Sequence, residues 1–569
     1  MASTGGDPAL HRVEPRQSTE IRRLLPGFAG GGVIALAALG LLLLLPVATV
    51  VWLAFGSATG VWAHLTSTVL PSALRDTLSL VAGVGAATLV IGTGTAWLVT
   101  MYRFPGRAVL DRLLVLPLAM PTYIVAYALV DLADFTGPFS GVYRSLFGWQ
   151  TARQAWLPDL RSQSGAIFVL SIVLYPYVYL SARASFVQQS ICVLEVARTL
   201  GRTASGAFWS VALPLARPAL AAGVALVAME CMNDLGALQY LGVSTLTVSV
   251  YTTWLQRGSL AGAAQIALVA LVFVALLIGI ERRARGGSRH HHTTGRYRSI
   301  PFSDLRGWRG RCAFVACLLP PLLGFGLPVL VLLGQAIGRG RGQFSVAFFE
   351  AARNSVLLAA ACAALTVAIA LALAYARRIG GHGRLGHAIA LAGAGYALPG
   401  TVLAIGLMIP LAAFDNAVDA FMRARLGIST GLLLSGSLAA LLLAYTIRFL
   451  AVSLGAIEAG FERLSPNLDA VARTLGETAM SALRRVHLPM LAPALGAAAL
   501  LVFVDAMKEL PATLLLRPFN FETLATHVYA FAALEQFEQG AAGALAIVLA
   551  GLAPVLLLHR AVASGRAGS

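Results

Sequence analysis

Lysine is almost absent from this chain, since Lys508 is the only one among 569 residues. Met507 precedes it, so the Gly-Lys-Ser/Thr end of a phosphate-binding P-loop cannot occur anywhere in the sequence. The 10 histidines form no His-Glu-x-x-His motif, and the 5 cysteines form no Cys-x-x-Cys pair. These absences predict that the chain is not an enzyme, binds no cofactor of its own and has no disulfide framework or zinc site. If ATP drives this protein, another subunit binds the ATP.

Charged side chains are scarce as well, at 12% of residues, whereas 58% are hydrophobic and the mean hydropathy is +0.78. A soluble domain has about 25% charged residues, so this composition predicts an integral membrane protein. The short alternating segments typical of a β-barrel are not evident, which leaves α-helical spans and an all-α fold. The net charge of +17 comes from arginines at the ends of apolar runs. That pattern indicates positive-inside topology and not nucleic-acid binding.

One stretch of the chain is present twice. Residues 196–220 and 471–495 align without a gap at an offset of 275, and 15 of the 25 positions are identical. The shared positions include a glycine and prolines, which fix backbone geometry. A further alignment, at an offset of 278, pairs Pro121 with Pro399. The sequence therefore predicts a tandem duplication that extends well beyond the shared stretch.

Each copy is polar and bears arginines although it lies between very hydrophobic segments, so we expect a loop with short helices outside the membrane. The run before Gly201 suits a short helix, and Gly201 would permit a left-handed turn. The Leu-Pro pairs at 213–214 and 488–489 are expected to break the segment that follows them. The pattern predicts helix, turn and helix, which together form a docking surface.

The same residues resemble the EAA loop of ABC-importer permeases, written as Glu-Ala-Ala, a short spacer, Gly, and a longer spacer to Leu-Pro. The resemblance implies a cytoplasmic coupling helix that sits in a cleft of an ATPase subunit. In the second copy Ala470 stands where the acid belongs, with Asp469 one position earlier. The alternative is a pair of polar loops with a structural role only. The matching positions are Glu195, Ala197, Gly201, Leu213 and Pro214 in the first copy, and Ala472, Gly476, Leu488 and Pro489 in the second.

Long apolar runs predict the membrane topology, because a helix needs about 20 such residues to cross a bilayer. They predict about 12 transmembrane helices in two parallel six-helix repeats, with both termini and both loops in the cytoplasm. We expect a first permease half at 28–281 and a second at 312–560, with tails at 1–27 and 561–569 and a basic linker at 282–311. The predicted spans are 28–54, 76–101, 110–131, 165–187, 217–238, 260–280, 312–337, 354–376, 388–412, 430–454, 492–513 and 541–559.

The linker carries three consecutive histidines, His290, His291 and His292. Such a run can bind a metal. No carboxylate or cysteine is placed to complete a site, so a solvated linker is the preferred interpretation.

Each loop is followed by charged residues inside an otherwise apolar helix. At the offset of 275, Glu230 pairs with Asp505, and Asp234 pairs with Glu509. Acids four residues apart lie on one helical face, and charges so deep usually face a bundle interior or an aqueous cavity. The sequence therefore predicts that these acids and Lys508 line or gate a path across the membrane. A structural ion-pair network that includes Lys508 or an arginine, and true metal coordination, are the alternatives.

Prolines mark the same path in both halves. Pro117 and Pro121 fall in the third predicted span, and Pro399 takes the matching position in the second half. Proline removes a helical hydrogen bond, and broken helices are tolerated in mid-membrane only against protein or a water-filled path. Pro121 and Pro399 are therefore candidates for the path as well.

Two longer runs, 232–254 and 505–532, resemble ferric-iron ABC importer permeases, which are single chains with both transmembrane halves. The resemblance implies an inner-membrane permease that works with two copies of an ABC ATPase, which bind ATP and Mg. It also implies an extracytoplasmic substrate-binding protein that meets loops 132–164 and 512–540. Related permeases carry thiamine, phosphonates or polyamines, so the substrate stays open among these. A proton-coupled secondary transporter is the alternative class, although its repeats are usually inverted.

Overall fold

The computed structural model describes residues 40–564 of the chain, apart from several gaps. The gaps are 41, 43, 57–59, 136, 138–139, 152–153, 155–158, 189–202, 286–302, 381–392 and 466. Glu195, Ala197 and Gly201 of the first loop and the three linker histidines lie outside the described residues.

The first half is built from helices and one very short strand. Its elements are α1 (Leu44–Gly56), α2 (Gly60–Ser67), α3 (Val69–Met101), β1 (Tyr102–Arg103), α4 (Arg107–Leu113), a 3-10 turn (Leu116–Ala119), α5 (Thr122–Ala133), α6 (Ser140–Phe147), α7 (Gln163–Gln188), α8 (Ala204–Ala207), a π turn (Phe208–Ala212), α9 (Leu213–Asn233), α10 (Gly236–Tyr240), α11 (Leu246–Leu255) and α12 (Leu260–Arg285).

The second half repeats this order. Its elements are β2 (Ser303–Asp304), α13 (Trp308–Pro321), a π turn (Leu322–Gly326), α14 (Leu327–Arg339), a 3-10 turn (Gly340–Gln343), α15 (Val346–Gly380), a 3-10 turn (Gly393–Ala397), α16 (Gly400–Leu426), α17 (Leu438–Glu462), α18 (Asn467–Thr474), α19 (Ala479–Ala482), a π turn (Leu483–His487), α20 (Leu488–Met507), α21 (Pro511–Leu516), α22 (Leu524–Ala533) and α23 (Phe537–Ser564).

The helices confirm the prediction of an all-α polytopic membrane protein. Among the described residues, 10 helices are long and apolar enough to cross a membrane, or up to 11 if one bent pair counts as a single span. Helix α1 is apolar but shorter, and it overlaps the end of the first predicted span. Several predicted ends are wrong. Helix α9 ends at Asn233 and not at 238, and α16 continues to Leu426 and not to 412.

The predicted break in the third span is confirmed. The bent pair is Arg107–Ala119 and Thr122–Ala133, whose axes differ by 100°. Pro117 lies in the 3-10 turn between them, and Pro121 is the N-cap residue of α5. Pro399 is likewise the N-cap residue of α16 in the second half. Both halves therefore begin a new helix directly after the matching proline.

Matching hydrogen bonds show the duplication in three dimensions. The Thr77 hydroxyl accepts a hydrogen bond from the Leu246 amide at 3.0 Å. The Ser355 hydroxyl accepts one from the Leu524 amide at 2.7 Å. The second pair lies 278 residues after the first at both ends. The same long-range contact between α3 and α11 is thus built again between α15 and α22.

The end of the predicted linker pairs with a short strand of the first half. Strand β1 pairs in parallel with β2, and the Leu305 amide donates to the Arg103 carbonyl at 2.9 Å. Helix α12 continues to Arg285, and α13 begins at Trp308. The described ends of the predicted linker are therefore structured. The division of the chain into domains remains a prediction.

Close packing of α3 against α7 depends on a glycine. A Cβ atom at Gly92 would lie 2.8 Å from the Tyr179 amide nitrogen and 3.0 Å from the Tyr175 carbonyl oxygen. Gly94, two residues later on the same helix, has no atom within 4 Å of the equivalent point. Backbone atoms cannot yield as a flexible side chain can, so a side chain at position 92 must push the two helices apart.

We expect Gly92→Ala to destabilise the protein by about 1–3 kcal/mol, the usual range for overpacking. Gly94→Ala is the matched control. It should be neutral or stabilising by up to about 1 kcal/mol, because alanine is the better helix former. Thermal unfolding of the two purified variants in one detergent measures the difference. Equal unfolding temperatures would contradict the packing argument.

Candidate functional site

The charged residues predicted for a path come together between the two halves. Glu230, Asp234, Asp505, Lys508 and Glu509 all line one cavity of about 100 Å³, which we call the central cavity. Pro121 lines it too, and Pro399 lies next to Gly400, whose added Cβ would meet Glu509 Oε1 at 2.9 Å. Its walls also include Tyr123, Val173, Tyr177, Asn233, Tyr396 and Arg448.

The prediction that acids four residues apart share one helical face is wrong. The structure places these acids at or just beyond the ends of their helices. Helix α9 ends at Asn233, which leaves Asp234 in extended backbone, and α20 ends at Met507. Asp234 Oδ1 accepts a hydrogen bond from the Ala237 amide at 3.0 Å, and Glu509 Oε1 accepts one from the Ala512 amide at 3.1 Å. Free amides at a helix start attract such carboxylates. Each acid therefore caps the next short helix.

A buried ion pair lies at the centre of the second half. Arg448 Nη2 lies 3.3 Å from Glu509 Oε2, and their side chains are 6% and 4% exposed. Asn233 of the first half joins them, because its Oδ1 accepts from Arg448 Nη1 at 2.8 Å and from the Gly400 amide at 3.0 Å. These contacts tie α9 to α16 and α17. We call Arg448, Glu509, Asn233 and Gly400 the inter-half latch.

The remaining acids of the central cavity have different partners. Lys508 Nζ lies 2.9 Å from Asp505 Oδ1. The Tyr396 hydroxyl donates to Glu230 Oε1 at 2.6 Å, a contact that also joins the halves. Asp505 and Glu509 are thus paired as the structural alternative predicts. Within the part of the chain that the structure describes, Glu230 and Asp234 form no salt bridge.

Formal charges in the central cavity do not balance. The four acids face two cations, Lys508 and Arg448. The excess is negative, so the cavity attracts cations and repels anions. No group of three or more His, Cys, Asp or Glu residues that could hold a metal ion exists among the described residues. The arrangement suits passage of a cation better than permanent coordination.

A second cavity of about 350 Å³ adjoins the first. The two share Tyr177, Tyr396, Asp505 and Lys508 in their walls. The second cavity also contacts Leu226 on α9 and residues of α20 before Asp505, which lie nearer to the loops at the starts of these helices. Open space therefore extends from the charged cluster towards the loops.

Two contacts join the halves on the opposite side of the molecule. The Tyr529 hydroxyl donates a hydrogen bond to Gln239 Oε1 at 2.9 Å, and Arg161 Nη2 lies 3.1 Å from Glu535 Oε1. Both contacts join the first half to the second. Hydrogen bonding to Tyr240 raises the pKa of Arg161, so its charge persists at any physiological pH. The two halves are therefore held together on the side away from the loops.

The second loop has the predicted helix, turn and helix. Helix α18 covers Asn467–Thr474, and Gly476 adopts the left-handed conformation with φ of 80°. The expected break at Leu488 and Pro489 is wrong. The chain continues through a π turn into α20, where Pro489 lies in the first turn and needs no amide donor. Leu213 and Pro214 begin α9 after the same kind of π turn.

Asp469 points into the protein and not towards a partner. Arg378 Nε donates to its Oδ2 at 2.7 Å, and His487 Nε2 lies 2.8 Å from its Oδ1. Arg378 also donates to the Phe461 and Ser465 carbonyls at 3.0 and 3.1 Å. His487 is fully buried. The acid therefore fixes α18 against α15 and the end of α17.

The outer face of this loop is apolar at its centre. Val471, Leu475 and Met480 are 53%, 76% and 43% exposed, whereas Ala472 is buried. At the rim, a hydrogen bond with Ser481 and the charge of Arg485 lower the pKa of Glu477. An apolar centre with a charged rim is the composition of a protein-binding surface. Sequence reasoning identified the loop but not which of its side chains face outward.

Sequence reasoning missed several residues of the central cavity, namely Arg448, Asn233, Tyr396 and Tyr123. Arg448 carries a signal that could have been used, because an arginine inside an apolar span is costly and usually has a functional partner. Nothing in the sequence links it to Glu509. The two residues are 61 positions apart and meet only through the packing of α17 on α20.

Residues 88–285 match the family described as binding-protein-dependent transport system inner membrane component. The Fe(3+)-transport system permease protein FbpB 2 of Haemophilus influenzae is 25% identical over 499 residues, which cover 86% of this chain and 89% of that protein. The sulfate transport system permease protein CysT of Escherichia coli is 33% identical over 221 residues, or 39% of this chain and 76% of CysT. The molybdenum transport system permease protein ModB of the same species is 28% identical over 198 residues, or 33% of this chain and 83% of ModB.

Proposed function

This chain belongs to the family of binding-protein-dependent transport system inner membrane components, and we propose that the solute it carries is ferric iron. It is a multi-pass permease component of an ABC importer, and its relatives are transport permease subunits. The family implies a substrate-binding protein and an ATPase as partners. The proposal concerns the cargo, the site of its passage and the arrangement of those partners.

The charge of the central cavity is the observation that carries the choice of iron. Four carboxylates and two cations leave an excess of negative charge around the space between the halves. Sulfate, molybdate and phosphonates are anions and would be repelled there, whereas carboxylate oxygens suit a hard cation such as Fe(III). FbpB 2 also matches over 86% of this chain, while CysT and ModB match only 39% and 33% of it.

Two ATPase subunits would bind at the two repeated loops, one copy to each. The apolar centre formed by Val471, Leu475 and Met480 supports this arrangement for the second loop. The missing P-loop supports an ATP and Mg site on those subunits, with no catalysis and no cofactor in this chain. Both termini and both loops would then face the cytoplasm of the bacterial cell. The binding protein would meet loops 132–164 and 512–540 on the other side.

The cavities support a state that is open towards the ATPases. Space extends from the charged cluster towards the loops, and on the opposite side Arg161 pairs with Glu535 across the two halves. ATP binding would draw the two loops together and reverse this preference. Nucleotide needs to favour one state by only a few kcal/mol to shift the population substantially.

The proposal is tested by reconstituting the permease with its ATPase in liposomes and adding its binding protein. We expect ATP-dependent uptake of radioactive iron supplied as Fe(III) on the binding protein. The same vesicles should take up no sulfate, molybdate, phosphonate, thiamine or polyamine. Uptake of any of these in place of iron would contradict the iron proposal. ATP-independent uptake driven by a proton gradient would contradict the importer mechanism.

A further inference from the structure

The two halves treat their matching acids differently. Asp234 and Glu509 correspond at an offset of 275, and each caps the helix that follows it. At the same offset Arg448, the partner of Glu509, corresponds to Val173. Both Arg448 and Val173 line the central cavity. The first half therefore has the apolar side chain of Val173, and no cation, at the place where the second half neutralises its acid.

Two oxygen atoms of the first half that line the central cavity have no hydrogen-bond partner. Asp234 Oδ2 is buried and has no hydrogen-bond partner, although Thr122 lies beside the carboxyl group. The Tyr123 hydroxyl also has no partner, and Tyr123 is only 4% exposed. Both residues line the central cavity, and the hydroxyl is within electrostatic reach of Asp234. Buried polar atoms are normally hydrogen-bonded, so two unpartnered oxygens that face one charged cavity are available to an ion, a water or another ligand there.

The chemistry of these atoms selects the ligand. Carboxylate and phenol oxygens are hard donors, which suit hard cations with high charge. Glu230 adds a second carboxylate without a salt bridge, and Tyr396 holds one of its oxygens in place. Lys508 and Arg448 are already paired with Asp505 and Glu509. The negative excess of the cavity is therefore concentrated on the first half.

We propose that Asp234, Tyr123 and Glu230 form a transit site for a partly hydrated trivalent cation. This inference rests on the proposed function and names the groups that the cargo contacts. The cavity of about 100 Å³ holds an ion with several waters, since one water takes about 30 Å³. A site with few protein donors binds its ion weakly. Weak binding suits transport, because a transported ion must leave the site as easily as it enters. The second half contributes Arg448, Glu509 and Gly400 of the inter-half latch and not the ligands.

Terbium(III) is a suitable probe, because it is a hard trivalent cation whose luminescence is excited through a nearby tyrosine. The purified permease with its ATPase is titrated with terbium(III) alone. We expect saturable tyrosine-excited emission from the unchanged protein. Asp234→Asn should weaken terbium binding about ten- to a hundredfold, the range for losing one charged contact. Tyr123→Phe should reduce the emission and weaken binding about tenfold.

Tyr175→Phe is the matched control, since Tyr175 is also fully buried with an unpartnered hydroxyl but does not line the central cavity. It should bind terbium as the unchanged protein does. Val173→Arg keeps Asp234 and supplies the cation found in the second half. We expect it to abolish terbium binding while the protein still elutes as a folded complex. This variant keeps the proposal testable if Asp234→Asn does not fold.

The outcomes separate this site from the function on which it rests. If the unchanged protein shows no tyrosine-excited emission, or if Asp234→Asn, Tyr123→Phe and Val173→Arg all bind like Tyr175→Phe, the site is wrong. Uptake of iron by the unchanged transporter would still support the proposed function in that case. Uptake of an anion in place of iron would overturn the proposed function and, with it, the transit site.

Discussion

Replacement of Arg448 by leucine is expected to destabilise the protein by about 3–5 kcal/mol, the usual cost of removing one partner of a buried ion pair. Glu509 would remain 5% exposed and without its cation, and Asn233 would lose one of its two hydrogen bonds to the second half. We expect a large fall in the temperature at which the purified protein loses its folded, single-species elution profile. Fluorescence-detected size exclusion after heating measures it.

Arg423→Leu is the control for this change. Arg423 also pairs with an acid, Asp419 at 2.6 Å, but its side chain is 62% exposed. Exposed pairs contribute about 0–1 kcal/mol, so this variant should remain close to the unchanged protein. The double change Arg448→Met with Glu509→Gln should recover part of the loss, because no unpaired charge stays buried. The latch is refuted if Arg448→Leu costs no more than Arg423→Leu.

Replacement of Asp469 by alanine is expected to uncouple ATP hydrolysis from transport. The change leaves Arg378 and the buried His487 without their shared acid and frees α18 from α15. Bonds to charged groups are worth about 1.5–3 kcal/mol, enough to lower the population of the ordered loop about ten- to a hundredfold. Uptake per ATP hydrolysed in reconstituted vesicles should therefore fall about tenfold or more, while the ATPase subunits still hydrolyse ATP.

Asp304→Asn provides the comparison. Asp304 pairs with Arg306 at 3.3 Å, but both side chains are exposed and lie outside the coupling loop. Its uptake per ATP should match that of the unchanged protein. If Asp469→Ala also transports normally with unchanged ATP use, the internal contacts of Asp469 do not order the loop for coupling.

Much of the architecture was predictable because it depends on local composition. The length of an apolar run determines where a helix forms, and a glycine or proline determines where a turn forms. Neither depends on how distant parts of the chain are packed. Gly476 and Pro121 therefore took the conformations expected of them. Helix ends inside the membrane were less predictable. Helix α9 stops at Asn233 because Asp234 caps the next helix, and hydrophobicity carries no signal for that.

The sequence predicted the acids of the candidate site but not the residues with which they pair. The offset of 275 paired Glu230 with Asp505, and Asp234 with Glu509, before any contact was known. The same offset places Val173 opposite Arg448, but the sequence does not show which acid each of them faces. That depends on how α7 and α17 pack against the helices that carry the acids.

The sequence by itself determined the class of this protein: a duplicated, helical membrane permease with two polar loops and no P-loop motif. Composition, spacing and internal repetition determine those properties, and none of them requires knowledge of distant contacts. Only the tertiary structure decided that Asp469 turns inward, that Arg448 joins Glu509 to Asn233, and that the first half keeps its unpaired oxygens. The physical reason is that a buried charge is stabilised by whichever group packing brings within about 3–4 Å, and packing is a property of the whole chain.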